Sequence, residues 1–254
     1  MRVQTVDVSG FAERPNLNIA GLSVSEASRA LQSSGWSSAG SGDTAIALAD
    51  PSDSWCVRLT PFDPAYSLFA DEVIGGAPNR WLPQIAAILR LAGEGYAVLM
   101  ERLWPADPSV AQGFCDAVGL PSPNDDEPPL TTGFAEASDP DFLALRQRIA
   151  DLLTRGAARY PRLWGGSDVH AGNVLADAQG GLKLIDPVFL SGRTVSDALL
   201  AGEVEALMME VSRAQLEAFL MLPCFHRREN RYEGVDLLRD RLAQIHLAPS
   251  DAPT

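Results

Sequence analysis

The chain has 254 residues, 46% of them hydrophobic and 21% charged, which is enough apolar material for a sizeable core and excludes a disordered polymer. A formal charge of −13 and a pI near 4.6 exclude long-range attraction to nucleic acid or to an anionic membrane surface. This length suits one large domain or two lobes sharing a cleft.

In chain order, residues 1–22 carry no clear period and read as an irregular arm, and Met1 to Asp7 lacks the apolar centre of a signal peptide. No run approaches the length of a membrane span, so a soluble, cytoplasmic protein is expected. Ser23-Val24-Ser25-Glu26 reads as a capping box at the start of a short helix through Leu31. A polar run of small residues, Ser34 to Asp43, precedes the strand-like Thr44 to Ala49. Pro51-Ser52-Asp53 is a turn, Trp55 to Thr60 the next strand and Tyr66 to Ile74 a short helix.

Leu82 to Leu91 and Tyr96 to Leu103 flank a Gly-containing turn and form a hairpin. Asp107-Pro108 starts a helix, with Asp as N-cap and Pro at the first helical position. Pro121 to Pro129, dense in proline and acid, is a solvated loop rather than a metal cluster. Ser138-Asp139-Pro140 caps a long helix whose Phe142, Leu145, Ile149 and Leu152 share one buried face.

Residues 195–222 and 235–246 read as helical, with a basic loop from Pro223 to Arg231 between them and a loose tail from Pro249. His226 and His246 lack metal-ligand spacing. Cys56, Cys115 and Cys224 form no C-x-x-C pair and read as reduced, buried thiols. Lys183 is the single lysine, so nearly all positive charge is arginine.

The chemistry concentrates in Gly166-Ser167-Asp168-Val169-His170-Ala171-Gly172-Asn173-Val174-Leu175 and the following Leu182-Lys183-Leu184-Ile185-Asp186. A turn at Ala178-Gln179-Gly180-Gly181 brings Asn173 and Asp186 toward each other. Two Asp and an Asn at these spacings suit metal-assisted phosphoryl transfer: one carboxylate orients a hydroxyl, and an amide oxygen and the other carboxylate hold Mg²⁺. Magnesium takes only one or two protein carboxylates, so a short donor list suffices.

The stretch resembles the catalytic loop and metal-binding strand end of the protein-kinase-like superfamily, especially its aminoglycoside and choline phosphotransferase branch, where D-x-H-x-x-N precedes a strand ending in Asp. The resemblance implies an α+β, bilobal fold. A small antiparallel-sheet lobe would span residues 1–103, with the phosphate loop and hinge, and a compact, mainly helical lobe residues 104–254. It implies Asp168 as catalytic base, His170 as the residue shaping the loop, Asn173 and Asp186 as metal ligands, and ATP with Mg²⁺ as cofactors. Pro187 stands where many protein kinases have Phe.

The same likeness makes the small-residue run, with Ser37, Ser38 and Gly40, the phosphate loop. Arg58 occupies the place of the usual phosphate-binding Lys, with Glu72 as its ion-pair partner and Asp71 as the next choice. A guanidinium there is bulkier and bidentate where an ammonium is a point charge. Met100 would back the adenine pocket, and main-chain groups from Glu101 to Leu103 would read the base. The expected activity is transfer of the γ-phosphate to a hydroxyl. The compact C-terminal part leans the acceptor toward protein Ser, Thr or Tyr, with a small-molecule kinase or a non-catalytic nucleotide-binding module as alternatives.

Overall fold

The structure, a computed structural model, describes residues 14–119, 134–223 and 235–244. The first part of the arm, the acidic loop at 121–129, Cys224, the rest of the basic run to Arg231, His246 and the tail from Pro249 lie outside the described residues.

Helix α1 (Val24–Ser33) begins where the capping box places it. The Ser23 hydroxyl accepts from the Glu26 N–H at 3.3 Å, and the Glu26 carboxylate accepts from the Ser23 N–H at 2.9 Å. Five antiparallel strands follow: β1 (Ser37–Ser41), β2 (Ile46–Ala49), β3 (Trp55–Thr60), β4 (Ile85–Arg90) and β5 (Tyr96–Glu101), in the order β1-β2-β3-β5-β4. The predicted hairpin is β4-β5. The polar run from Ser34 is not a loop: its residues 37–41 form the edge strand β1, and the turn to β2 lies at 42–45.

Because β3 is central, both faces are covered, and side-chain alternation sorts its residues. Trp55, Val57 and Leu59 join Ala27 and Leu31 of α1 in one cluster. Cys56 faces the opposite way, into a cluster with Tyr66 and Phe69 of α2 (Pro64–Gly75), and Arg58 shares that side. The chain's most consequential cation therefore points inward.

The second part is mainly helical. A short strand β6 (Trp104–Pro105) leads to α3 (Pro108–Val118) and α4 (Pro140–Arg159), both started by an Asp side chain that accepts from two first-turn N–H groups. Phe142, Leu145, Ile149 and Leu152 are buried along one face of α4, as their spacing predicts. Each such burial contributes roughly 1.5–3 kcal/mol.

Strand β7 (Trp164–Ser167) pairs with β10 (Val188–Leu190), while β8 (Val174–Ala176) lies between β6 and β9 (Leu182–Leu184). A Cβ on Gly165 would overlap the Phe189 ring, so the close pairing of β7 with β10 needs glycine there. The helical stretch expected at 195–222 is three shorter helices, α5 (Gly192–Ala201), α6 (Val204–Met208) and α7 (Arg213–Phe219), followed by α8 (Val235–Gln244). Gly202 at φ 77° ends α5 in the left-handed conformation. Trp81, Ile85 and Met100 from the sheet side share one core with Phe114, Phe142, Ile149, Val169 and Leu184, so the two parts are packed together beside the loop that carries Asp168. Among the described residues no helix is long and apolar enough to cross a membrane.

Candidate active site

The loop after β7 is fixed by main-chain bonds before any side chain acts. Asp168 N–H donates to the Pro187 carbonyl at 2.7 Å, and Ile185 N–H to the Asn173 carbonyl at 2.9 Å, so the start of the loop and the end of β9 are tied to each other. Between them a 3-10 turn (Ala171–Asn173) is capped by His170, whose Nδ1 accepts from Gly172 N–H at 3.1 Å.

Asn173 then joins the other two residues that the sequence singled out. Its Nδ2 donates to the Asp168 carbonyl (2.9 Å), the Asp168 carboxylate (3.0 Å) and the Asp186 carbonyl (2.8 Å). With the nitrogen spent, Oδ1 is the amide's remaining polar atom, and no donor among the described residues reaches it. That oxygen and the Asp186 carboxylate are hard donors of the kind Mg²⁺ takes, so the residues present fit the ion. Among the described residues no group of three or more His, Cys, Asp and Glu side chains forms a metal cluster, so the fit rests on this amide and carboxylate.

Burial pushes both carboxyl groups above the usual Asp range. For Asp168 the neighbouring Asp63 and Asp43 push the same way, while His170 and the Asn173 hydrogen bond oppose. Burial also raises Asp186, against the pull of Arg58 and with the help of Asp63 and Asp168. The Asp168 side chain is still 39% exposed, and His170, 57% exposed, has Nε2 3.8 Å from an Asp168 oxygen. Asp168 is thus the more exposed of the two carboxylates, with Asp186 at 24%, and His170 lies at its rim.

Arg58 reaches this site, but not in the expected company. Its Nη2 donates to Asp63 at 2.6 Å, Thr44 Oγ1 at 3.0 Å and Asp186 at 3.3 Å, and its guanidinium stacks 3.7 Å over the Tyr66 ring. Glu72 is not its partner. That side chain turns to α4 and pairs with Arg148 at 3.1 Å and with Arg155, because α2 packs Glu72 against α4 rather than against β3. Asp71, the second choice, feels Arg159 instead. Asp63 takes the role by starting α2 from the β3 side: one oxygen caps the helix at Tyr66 N–H and the other holds Arg58.

Asp63 was missed although Asp63-Pro64 carries the same N-cap signal read at Asp107-Pro108 and Asp139-Pro140. Thr44 was missed because the turn lies later than expected. Ser37, Ser38 and Gly40 sit in β1 opposite β2, with a bulge between Ser38 and Gly40, and so are not the loop between the first two strands. That turn holds Gly42, Asp43 and Thr44. Thr44 Oγ1 donates to Asp63 at 2.9 Å while accepting from Arg58, which fastens the turn to the site. The Ser41-Gly42-Asp43 run was the available signal.

The expected base-reading segment is also partly occupied. Met100 is buried in the core, paired with Cys56 and Ile85 across the sheet. Main-chain N–H groups of Glu101 and Arg102 donate to the carbonyls of Gln84 and Ser54, both at 3.0 Å, and the Leu103 carbonyl accepts from the Arg102 guanidinium at 2.6 Å. The Glu101 carboxylate is buried, accepts from Gln84 N–H at 2.8 Å and lies 3.9 Å from Lys183 Nζ. Lys183 itself is a buried tie that donates to the Arg80 carbonyl at 2.8 Å, so the single lysine takes no part in the site.

No family profile and no curated protein matches this sequence. Solved structures to which this chain shows some similarity include a thermostable mutant of aminoglycoside phosphotransferase APH(4)-Ia in ternary complex with AMP-PNP and hygromycin B. It is 11% identical, with a TM-score of 0.30, and the match covers 82% of this chain and 91% of that one. Aminoglycoside phosphotransferase APH(3'')-Id from Streptomyces rimosus is 16% identical, with a TM-score of 0.33 and coverage of 87% and 99%. WbdD, in a co-crystal with a kinase inhibitor, is 14% identical, with a TM-score of 0.27 and coverage of 80% and 43%. At these identities and scores the likeness carries no argument, and what the site can do follows from the residues in place.

Proposed function

We propose that the chain is an ATP-dependent phosphotransferase acting on a hydroxyl of a small molecule. The observation that carries this reading is Asn173, one amide holding Asp168 and the Asp186 main chain together while its oxygen stays unspent. In this reading Asp168 accepts the hydrogen bond of the acceptor hydroxyl and orients it. Asn173 Oδ1 and Asp186 hold Mg²⁺, which when bound neutralises charge on the phosphates. Arg58 adds a fixed cation beside them, and rate comes from positioning and charge stabilisation.

The acceptor follows from what lies after Asp186. Only Pro187 to Ser191 separate it from α5, and three of those five residues are in β10, paired with β7. A peptide acceptor is usually bound along an extended run of chain. Among the described residues no such run follows Asp186, which favours a small molecule over the protein hydroxyl that size alone suggested.

Incubation with Mg²⁺ and ATP labelled at the γ or the α position, over panels of hydroxyl-bearing small molecules and peptides, tests the proposal. Transfer of γ-label to a small molecule, abolished by Asp168→Ala with ATP binding retained, is the expected result. Transfer to peptides alone sinks the acceptor assignment, and α-label transfer indicates nucleotidylation. A second reading, a nucleotide-binding module without catalysis, is favoured by the Arg58–Asp186 ion pair, which occupies the metal carboxylate. Binding without any transfer would establish it.

A further inference from the structure

Two buried polar groups at this site have no hydrogen-bond partner among the described residues. Arg58 directs Nη2 to three acceptors yet leaves Nη1 with none, and the Tyr66 hydroxyl has none either. Their side chains are stacked, with the guanidinium carbon 3.7 Å over the centre of the Tyr66 ring, and the Asp186 charge acts on both. Buried donors are almost always paired, and an unpaired one costs free energy with nothing in return. The same region satisfies the Tyr96 hydroxyl through the Asp63 carbonyl, so local packing is able to supply acceptors.

We infer that Arg58 Nη1 and the Tyr66 hydroxyl form a two-donor site for a phosphate oxygen of the nucleotide. This inference rests on the reading of the chain as ATP-binding. The ligand class follows from the donors. A guanidinium is always cationic and never accepts, and burial keeps the Tyr66 phenol protonated, so the complement is an anionic acceptor rather than an amine or a metal ion.

Tyr66 is held for such a role. Its N–H donates to Asp63 Oδ1 at 3.1 Å, its ring meets Phe69 edge-on at 5.6 Å, and α2 is anchored through the same Asp63 that holds Arg58. Both donors are enclosed, so a phosphate oxygen reaches them by displacing a contact. The Arg58–Asp186 contact, at 3.3 Å the longest of the three, is the one to yield. The phosphate then becomes a partner of Arg58 through Nη1, while Nη2 keeps Asp63 and Thr44.

Tyr66→Phe removes only the hydroxyl and keeps the ring, the cation–π stack and the helix cap. Calorimetric titration with Mg²⁺·ATP, inorganic triphosphate and adenosine, alongside thermal unfolding, gives the test. The expected result is a pair of opposite shifts: about tenfold weaker binding of ATP and triphosphate, and an unliganded melting temperature equal to or above wild type. Adenosine binding should stay unchanged. Arg58→Lys, which deletes Nη1 and keeps the charge, should weaken ATP similarly, and the double variant should lose little more than either single one.

Equal ATP affinity in Tyr66→Phe and wild type overturns the inference while the phosphotransferase reading stands. A lower melting temperature with adenosine and ATP weakened alike also overturns it, as the mark of a purely structural hydroxyl. Absence of ATP binding in the wild-type chain overturns both.

Discussion

Asn173 bonds to the Asp186 main chain, Nδ2 to carbonyl oxygen at 2.8 Å, and so fixes the end of β9 against the loop that carries Asp168. The same nitrogen holds Asp168 twice, so Asn173→Ala should free the Asp168 side chain and the Asp186 main chain at once. We expect a loss of roughly 1–3 kcal/mol, the range for leaving buried hydrogen-bonding groups unpaired, together with loss of phosphoryl transfer. Urea unfolding checks it: a change below about 0.5 kcal/mol, as at an ordinary surface site, would refute the staple.

Arg58 depends on Asp63, not on Glu72. Asp63→Asn removes the closest charge from a buried guanidinium and should cost about 3 kcal/mol, the low end for breaking a buried pair, because Asp186 remains nearby. ATP binding should weaken with it. Glu72→Ala loosens only the contact between α2 and α4, where one partner is well exposed, and should cost about 1 kcal/mol with ATP affinity unchanged. Titrations of the two variants giving the reverse order would restore Glu72 to the site.

Crowded carboxylates make the site sensitive to pH in a defined direction. Asp168 and Asp186 both have folded-state values raised from the ordinary 3.8. A carboxyl raised on folding gives stability that is complete below its unfolded pKa and lost as pH rises through the folded value. Asp186→Asn cannot lose that proton. The variant and wild type should unfold at similar temperatures near pH 4, and the variant should be the more stable at pH 7 to 8. Thermal scans across this range decide it, and a variant that is less stable at neutral pH would show that the Arg58 pair outweighs burial.

Burial also silences two thiols. Cys56 is pushed up to about 11 and Cys115 to about 12, so neither carries appreciable thiolate at pH 8. In a Cys224→Ser variant, a colourimetric thiol reagent should find no reactive cysteine until denaturant is added, and then two. Rapid reaction in the native state would place one of these sulfurs at an open surface.

Local chemistry made much of this protein legible without coordinates. The Ser23 capping box, the Asp-Pro helix starts at 107 and 139, the buried face of α4 and the β4-β5 hairpin are each set by residues within one or two turns of chain, so spacing and side-chain type suffice to read them. The triad was legible for the same reason: Asp168, Asn173 and Asp186 lie in one short stretch, and a tight turn between two strands closes the distance. The placement of the first turn failed because small polar residues suit an edge strand and a loop alike, and only pairing with β2 distinguishes them.

What the sequence determined alone was the loop that brings Asp168, Asn173 and Asp186 together, because those contacts close over few residues. Tertiary structure decided the company Arg58 keeps. Its bond to Asp186 spans 128 positions, Glu72 is drawn off by Arg148 of α4, and the Tyr66 ring comes to lie under the Arg58 guanidinium. Those choices depend on how helices pack across the sheet, and spacing along a chain carries no record of that.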